Sequence, residues 1–117
     1  MSVQVIIDIT NEFNDNADAK IDVGGYDYSV VQIVSPTTTI NFLHTNDSGD
    51  VFTSSDGSAV SATNFVTVHG VNLATSTNVS SLAASGLVRF QGIGRYLQLS
   101  GTAATATRIL VRLYKIH

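Results

Sequence analysis

Arg108-Ile109-Leu110-Val111-Arg112-Leu113-Tyr114-Lys115-Ile116 is the stretch that decides the fold. Ile109, Val111 and Leu113 recur at every second position, which is the side-chain period of a β-strand and not of a helix. Leu110, Tyr114 and Ile116 occupy the alternate positions, interrupted by Arg112. A strand of an antiparallel sandwich needs only one buried face. The second apolar face therefore asks for a partner, either a covering loop or another subunit.

The same period runs back through the chain. Tyr96-Leu97-Gln98-Leu99-Ser100 and Leu87-Val88-Arg89-Phe90-Gln91 read as a strand pair joined through Gly92-Ile93-Gly94. Phe65 to Val71 alternates, and Leu73 to Ser81 is a Thr/Ser/Asn-rich loop with a short strand near Val79. Val51-Phe52-Thr53 is a short strand candidate between turn formers, and Thr37 to His44 is a strand that starts after Pro36, the single proline. Tyr26 to Val34 carries apolar residues on both faces and reads as a central strand. In Val3-Gln4-Val5-Ile6-Ile7-Asp8-Ile9 the odd positions form one buried face, and Asn11 to Ala19 reads as an acidic loop. No helical period extends beyond one turn. The pattern predicts one all-β domain over residues 1–117, an antiparallel β-sandwich of seven to eight strands, jelly-roll-like, with an immunoglobulin-like arrangement as the second choice.

Composition narrows the function. Hydrophobic residues make up 44% of the 117 and charged residues only 13%, about half the usual quarter. Such a surface suits an oligomer or a protein docked on something larger, or else a surface dressed in Ser, Thr and Asn. There is no cysteine, which excludes disulfides, thiolate metal sites and a Cys nucleophile. The start has no basic, apolar leader pattern, and no stretch approaches the roughly 18 apolar residues of a membrane helix. Synthesis in the cytosol without a signal peptide and without membrane contact is the expectation. Residues 1–56 hold all nine acids and one base, Lys20, a net −8. Residues 57–117 hold five bases and no acid, a net +5. Pairing of the two halves within the chain is the plainer reading, and pairing between neighbouring subunits the sharper one. The bases are not clustered with aromatics, so nucleic acid is not an expected partner.

Catalytic patterns are missing. His44, His69 and His117 show neither HxH nor HExxH spacing, and no GxSxG elbow accompanies the many serines. His44 follows Ile40 and Phe42 on one strand face, where a lone His is more often a hydrogen-bonded core or rim residue than a ligand. The acids sit in turns, and Gly92-Ile93-Gly94 has no following helix to cradle phosphate. Asp47-Ser48-Gly49-Asp50 and Asn14-Asp15-Asn16-Ala17-Asp18 hold oxygens suited to calcium but lack a bidentate Glu. The expectation is a protein that is not an enzyme, with no cofactor and no metal. Tyr26 and Tyr28 share a strand face and form a candidate platform for a glycan; core packing is the blander account of both.

Three stretches carry a resemblance. They are Tyr26 to Pro36 with Ile40-Asn41-Phe42, then Thr45-Asn46-Asp47-Ser48-Gly49, and Leu87 to Gln91 leading to Gly94-Arg95-Tyr96-Leu97-Gln98-Leu99. Across most of its length the chain resembles small β-sandwich virion surface proteins of tailed bacteriophages, of the capsid-decoration or head-fibre type. The resemblance implies a structural protein of the virion, commonly a trimer, docked on capsid or tail proteins, with no catalytic residues to carry over. Some such proteins adhere to host surfaces, so a lectin-like module contacting host-surface glycan through Tyr26 and Tyr28 is the alternative. The expected oligomer interface is the second face of the last strand: Leu110, Arg112, Tyr114 and Ile116. Arg95, Arg108 and Arg112 would meet acids of a neighbouring subunit there.

Overall fold

A computed structural model describes residues 2–46, 64–91 and 95–116. Along them run β1 (Ser2–Asp8), α1 (Thr10–Asn16), β2 (Asp18–Asp22), β3 (Tyr28–Val34), β4 (Ile40–Thr45), β5 (Val66–Thr67), β6 (Gly70–Asn72), β7 (Thr77–Val79), β8 (Ser81–Leu82), β9 (Gly86–Gln91), β10 (Tyr96–Ser100) and β11 (Arg108–Ile116). Two antiparallel sheets result, and the fold is an all-β sandwich. The larger has six strands in the order β1-β11-β3-β9-β6-β7. The smaller runs β2-β10-β4-β5, with β8 also paired to β4. Seven strands have five residues or more; the rest are pieces of two or three.

The core lies between the sheets. From the larger come Val31, Ile33, Val88, Phe90, Ile109, Val111 and Leu113; from the smaller come Ile21, Ile40, Phe42, Leu97 and Leu99. Phe42 and Phe90 meet edge to face across the gap, 5.1 Å between centroids. Ile109 and Val111 have no exposed surface and Leu113 only 1%, so the odd face of β11 is inward, as its period requires. β3 lies between β11 and β9, the central place that its two apolar faces call for. Gly70 is where β6 crosses closest to the core: a Cβ there would stand 2.5 Å from Val88 and 2.7 Å from Phe90.

Several local readings are corrected. Thr10–Asn16 is a helix, not a loop. Seven residues are too few for a periodic signal, and tertiary bonds hold the turns instead. Asp8 Oδ1 accepts from the Thr10 N–H at 3.0 Å and hydroxyl at 2.6 Å, and Thr10 Oγ1 accepts from the Ile109 N–H at 2.8 Å. Phe13 is fully buried, and Asn14 bonds the Ala106 backbone through both its amide atoms. Asp18–Asp22 follows as a strand whose inward residues are Ala19 and Ile21. The odd positions of β1 do not form one buried face: Ile9 is buried, Ile7 half-buried and Val5 36% exposed. Among the described residues β1 lies at the sheet edge, with only β11 beside it.

β9 and β10 are not a hairpin. β9 pairs with β3 and β6 in the larger sheet, β10 with β2 and β4 in the smaller. The alternating run from Phe65 is likewise divided: β5 belongs to the smaller sheet and β6 to the larger. The period of two survives a crossing between sheets, so it could not reveal one. Val51-Phe52-Thr53, Gly92-Ile93-Gly94 and the turn from Asp47 lie outside the described residues.

Candidate interaction face

The outer face of the six-stranded sheet is built by strand register. Ile6 stands opposite Arg112, Arg112 opposite Val30, Val30 opposite Arg89, and Arg89 opposite Val71. The next row sets Asp8 beside Leu110, Leu110 beside Gln32, and Gln32 beside Leu87. Leu73 closes that row, its N–H bonded to the Leu87 carbonyl at 2.9 Å. On the other side, Gln4, Tyr114, Tyr28 and Gln91 form a third row. Strand pleating thus gathers the apolar side chains of these rows, Val71 and Tyr28 at the margins and six others between them, on one outward surface.

The six line a groove of about 360 Å³ bounded by Ile6, Val30, Leu73, Leu87, Leu110 and Tyr114, with Gln32 and Arg112 as its polar members. A second hollow of about 420 Å³ continues it past Leu73 and Leu87 toward Ser85. Ile6 is 57% exposed, and Leu73 and Leu87 are about two-fifths exposed. Ile116 at the strand end is 56% exposed. Exposed apolar residues scattered singly need no explanation, but these are contiguous.

Of the four interface candidates, Leu110, Arg112 and Tyr114 meet in this groove; Ile116 lies at the end of the same strand, opposite Ser2. Tyr114 stacks on Tyr28 with centroids 4.5 Å apart and planes 17° from parallel. Arg112 Nη1 donates to the Tyr114 hydroxyl at 3.2 Å, with its guanidinium 5.9 Å from the ring centre. The structure does not bring Tyr26 and Tyr28 together. Tyr26 precedes β3 and packs against the core, while Tyr28 takes the outer face against Tyr114. The register of β11 with β3 predicts that pairing, which sequence alone does not supply.

Charges divide between the sheets. Arg95 pairs with Asp22 at 3.6 Å and Arg108 with Asp8 at 3.5 Å, both joining the acidic and basic halves within one chain. These two arginines thus have carboxylates of their own. Among the described residues Arg89 and Arg112, both exposed, have no ion-pair partner. Hydrogen bonds from the Thr10 hydroxyl and N–H, more than Arg108, hold the Asp8 carboxyl below the ordinary carboxylate range. The oxygens around Asn14–Asp18 serve the fold: Asp18 takes Lys20 at 2.9 Å and Gln98 at 2.7 Å, and Asn16 bonds the Glu12 carbonyl. Among the described residues no three metal-ligating side chains cluster, and no helix is long and apolar enough to cross a membrane.

His44 is buried, as its strand face foretold, but among the described residues lacks the hydrogen bond expected of it. It is 4% exposed, its ring tilted 5.6 Å from that of Phe90, and among the described residues neither ring nitrogen has a hydrogen-bond partner. Burial lowers its pKa from 6.5 to about 4, so it is neutral in the fold.

These features define an antiparallel β-sandwich with one polar and one largely apolar sheet exterior. No family model and no curated protein matches the chain. Among solved structures it is similar to the SPBc2 prophage-derived protein YomS, with a TM-score of 0.69 at 13% identity, over 98% of this chain and 96% of that one. At such identity the likeness speaks for a shared fold.

Proposed function

We propose that this chain is a non-catalytic structural protein of a tailed phage, carried on the virion surface as capsid decoration or appendage, and that it self-associates there, a trimer being favoured. The observation that carries the phage reading is the end-to-end fold likeness to a prophage-derived protein. Self-association is supported by the groove on the six-stranded sheet, where Leu110 and Tyr114 leave apolar surface in water beside Arg112. Covering it releases that area from water at about 25 cal/mol per Å² before association costs. Arg112, with no carboxylate in its own chain among the described residues, supplies register rather than affinity.

The test is the mass of the protein in solution, by light scattering on a sizing column over a dilution series. A stable trimer supports the reading. A monomer at every concentration refutes self-association and favours the glycan-binding alternative, for which half-buried Tyr28 is the remaining candidate on the outer face.

A further inference from the structure

We infer that β1 is a pairing edge, through which two copies of the chain join their six-stranded sheets antiparallel into one continuous sheet. The inference rests on the self-association proposed above and adds to it a twofold contact, which lies between trimers and not within one. It comes from comparing the strand edges left open among the described residues. β7 has three residues and β5 two, too short to template another strand. β2 alternates Asp18, Lys20 and Asp22 along its outward side, a charged edge of the kind that repels pairing. β1 has none of these protections. It runs seven residues without Pro, Lys or Arg, its register with β11 is unbroken by any bulge, and its one charge, Asp8, stands at its end.

Its free hydrogen-bonding groups follow from one bond. The Ile9 N–H donates to the Ile109 carbonyl at 3.0 Å, opposite it in the continued register. Alternation then turns the backbone groups of Ile7, Val5 and Val3 toward β11, and those of Gln4 and Ile6 away from the sheet. A second copy related by a twofold axis at Val5 sets Gln4 opposite Ile6 of that copy, matching outward groups to outward groups. Val5, 36% exposed, then meets Val5 of the copy, and Ile6, 57% exposed, gains a neighbour on the groove side. Charge selects the direction. Antiparallel pairing holds the two Asp8 carboxylates about 20 Å apart at ~3.4 Å per residue, whereas parallel pairing would set them side by side. A strip about 24 Å long buries less than the ~800 Å² per partner of a standard interface, so this contact is of the weak class that multivalent display strengthens.

The chain has no cysteine, so single cysteines report contacts cleanly. In the proposed register Val5 is a non-hydrogen-bonded pair, with Cα atoms about 4.5 Å apart, inside the disulfide range. The full-length Val5→Cys protein, at tens of micromolar under mild oxidation, is expected to run as a dimer that reductant dissolves, with the melting temperature of the reduced form near wild type. Adding Ile6→Lys should slow the linking at least tenfold. Leu87→Cys reports instead on stacking through the groove. If Val5→Cys fails to link while Leu87→Cys does, or while light scattering shows an oligomer, edge pairing is overturned and self-association stands. If neither links and the mass is that of a monomer, both are overturned.

Discussion

Acidification should destabilise this protein through a buried imidazole. His44 sits on β4 opposite Leu97 and Val66, 4% exposed, and its pKa is lowered from 6.5 to about 4 by burial. The unfolded chain therefore takes up a proton near pH 6.5 that the folded chain refuses until about pH 4. Stability falls as pH drops through that window and levels off below it. At 1.36 kcal/mol per pKa unit the loss reaches roughly 3 kcal/mol at full extent, and about 2 kcal/mol at pH 5. The assay is urea unfolding of wild type and His44→Leu at pH 7.5 and pH 5. Carboxylates, Asp8 among them, titrate alike in both proteins and cancel in the difference. Wild type should lose about 2 kcal/mol more than the variant between the two pH values, a midpoint shift of about 1 M urea or more. At pH 7.5 the variant should match or exceed wild type, because it removes a buried polar ring without a partner. Equal pH dependence of the two proteins refutes the reasoning, as does an imidazole resonance of His44 titrating near 6.5.

Tyr114→Glu or Leu110→Asp should shift the solution mass to monomer with little change in melting temperature, since a charge buried at an interface is costly; unchanged mass with lost stability would make that face part of the core. Gly70→Ala should cost on the order of 1–3 kcal/mol in urea unfolding, because its new methyl would press on Val88, Phe90 and the Arg89 carbonyl. Phe13→Ala should cost about 3–5 kcal/mol, the toll of emptying a fully buried aromatic site. A loss under 1 kcal/mol there would mean that α1 is loosely held.

Sequence period revealed strand faces well where both neighbours of a strand are present. β11 buries Ile109, Val111 and Leu113 on one face, Leu110 and Tyr114 reach the groove, and β3 takes the central place that its two apolar faces called for. It failed where strands end or cross. Val5 obeys the period and is still exposed, because no strand among the described residues covers that side of β1. α1 left no periodic trace, since Phe13 alone anchors it, although Asp8 two residues before Thr10 was a local signal that the chain turns there. Asp18–Asp22 alternates plainly, but Ala19 is too small to advertise a buried face. The pairing of Tyr28 with Tyr114 joins residues 86 apart in the chain, and only sheet order discloses it. Arg95 and Arg108 illustrate the same gap: their charges implied partners, and topology decided that those partners lie in the same molecule.

The place of β11 between β1 and β3 bears on how the molecule comes into being. The six-stranded sheet has its second strand supplied by β11, which follows all its other strands in chain order. Until Arg108–Ile116 emerges, β1 has no neighbour and β3 lacks one of its two. The smaller sheet has its own late strand in β10. A nascent chain therefore holds β1 and β2 without a strand partner, their apolar residues open to water, until these distant pairings close. Truncation of even the final strand should leave an aggregating chain rather than a smaller sandwich.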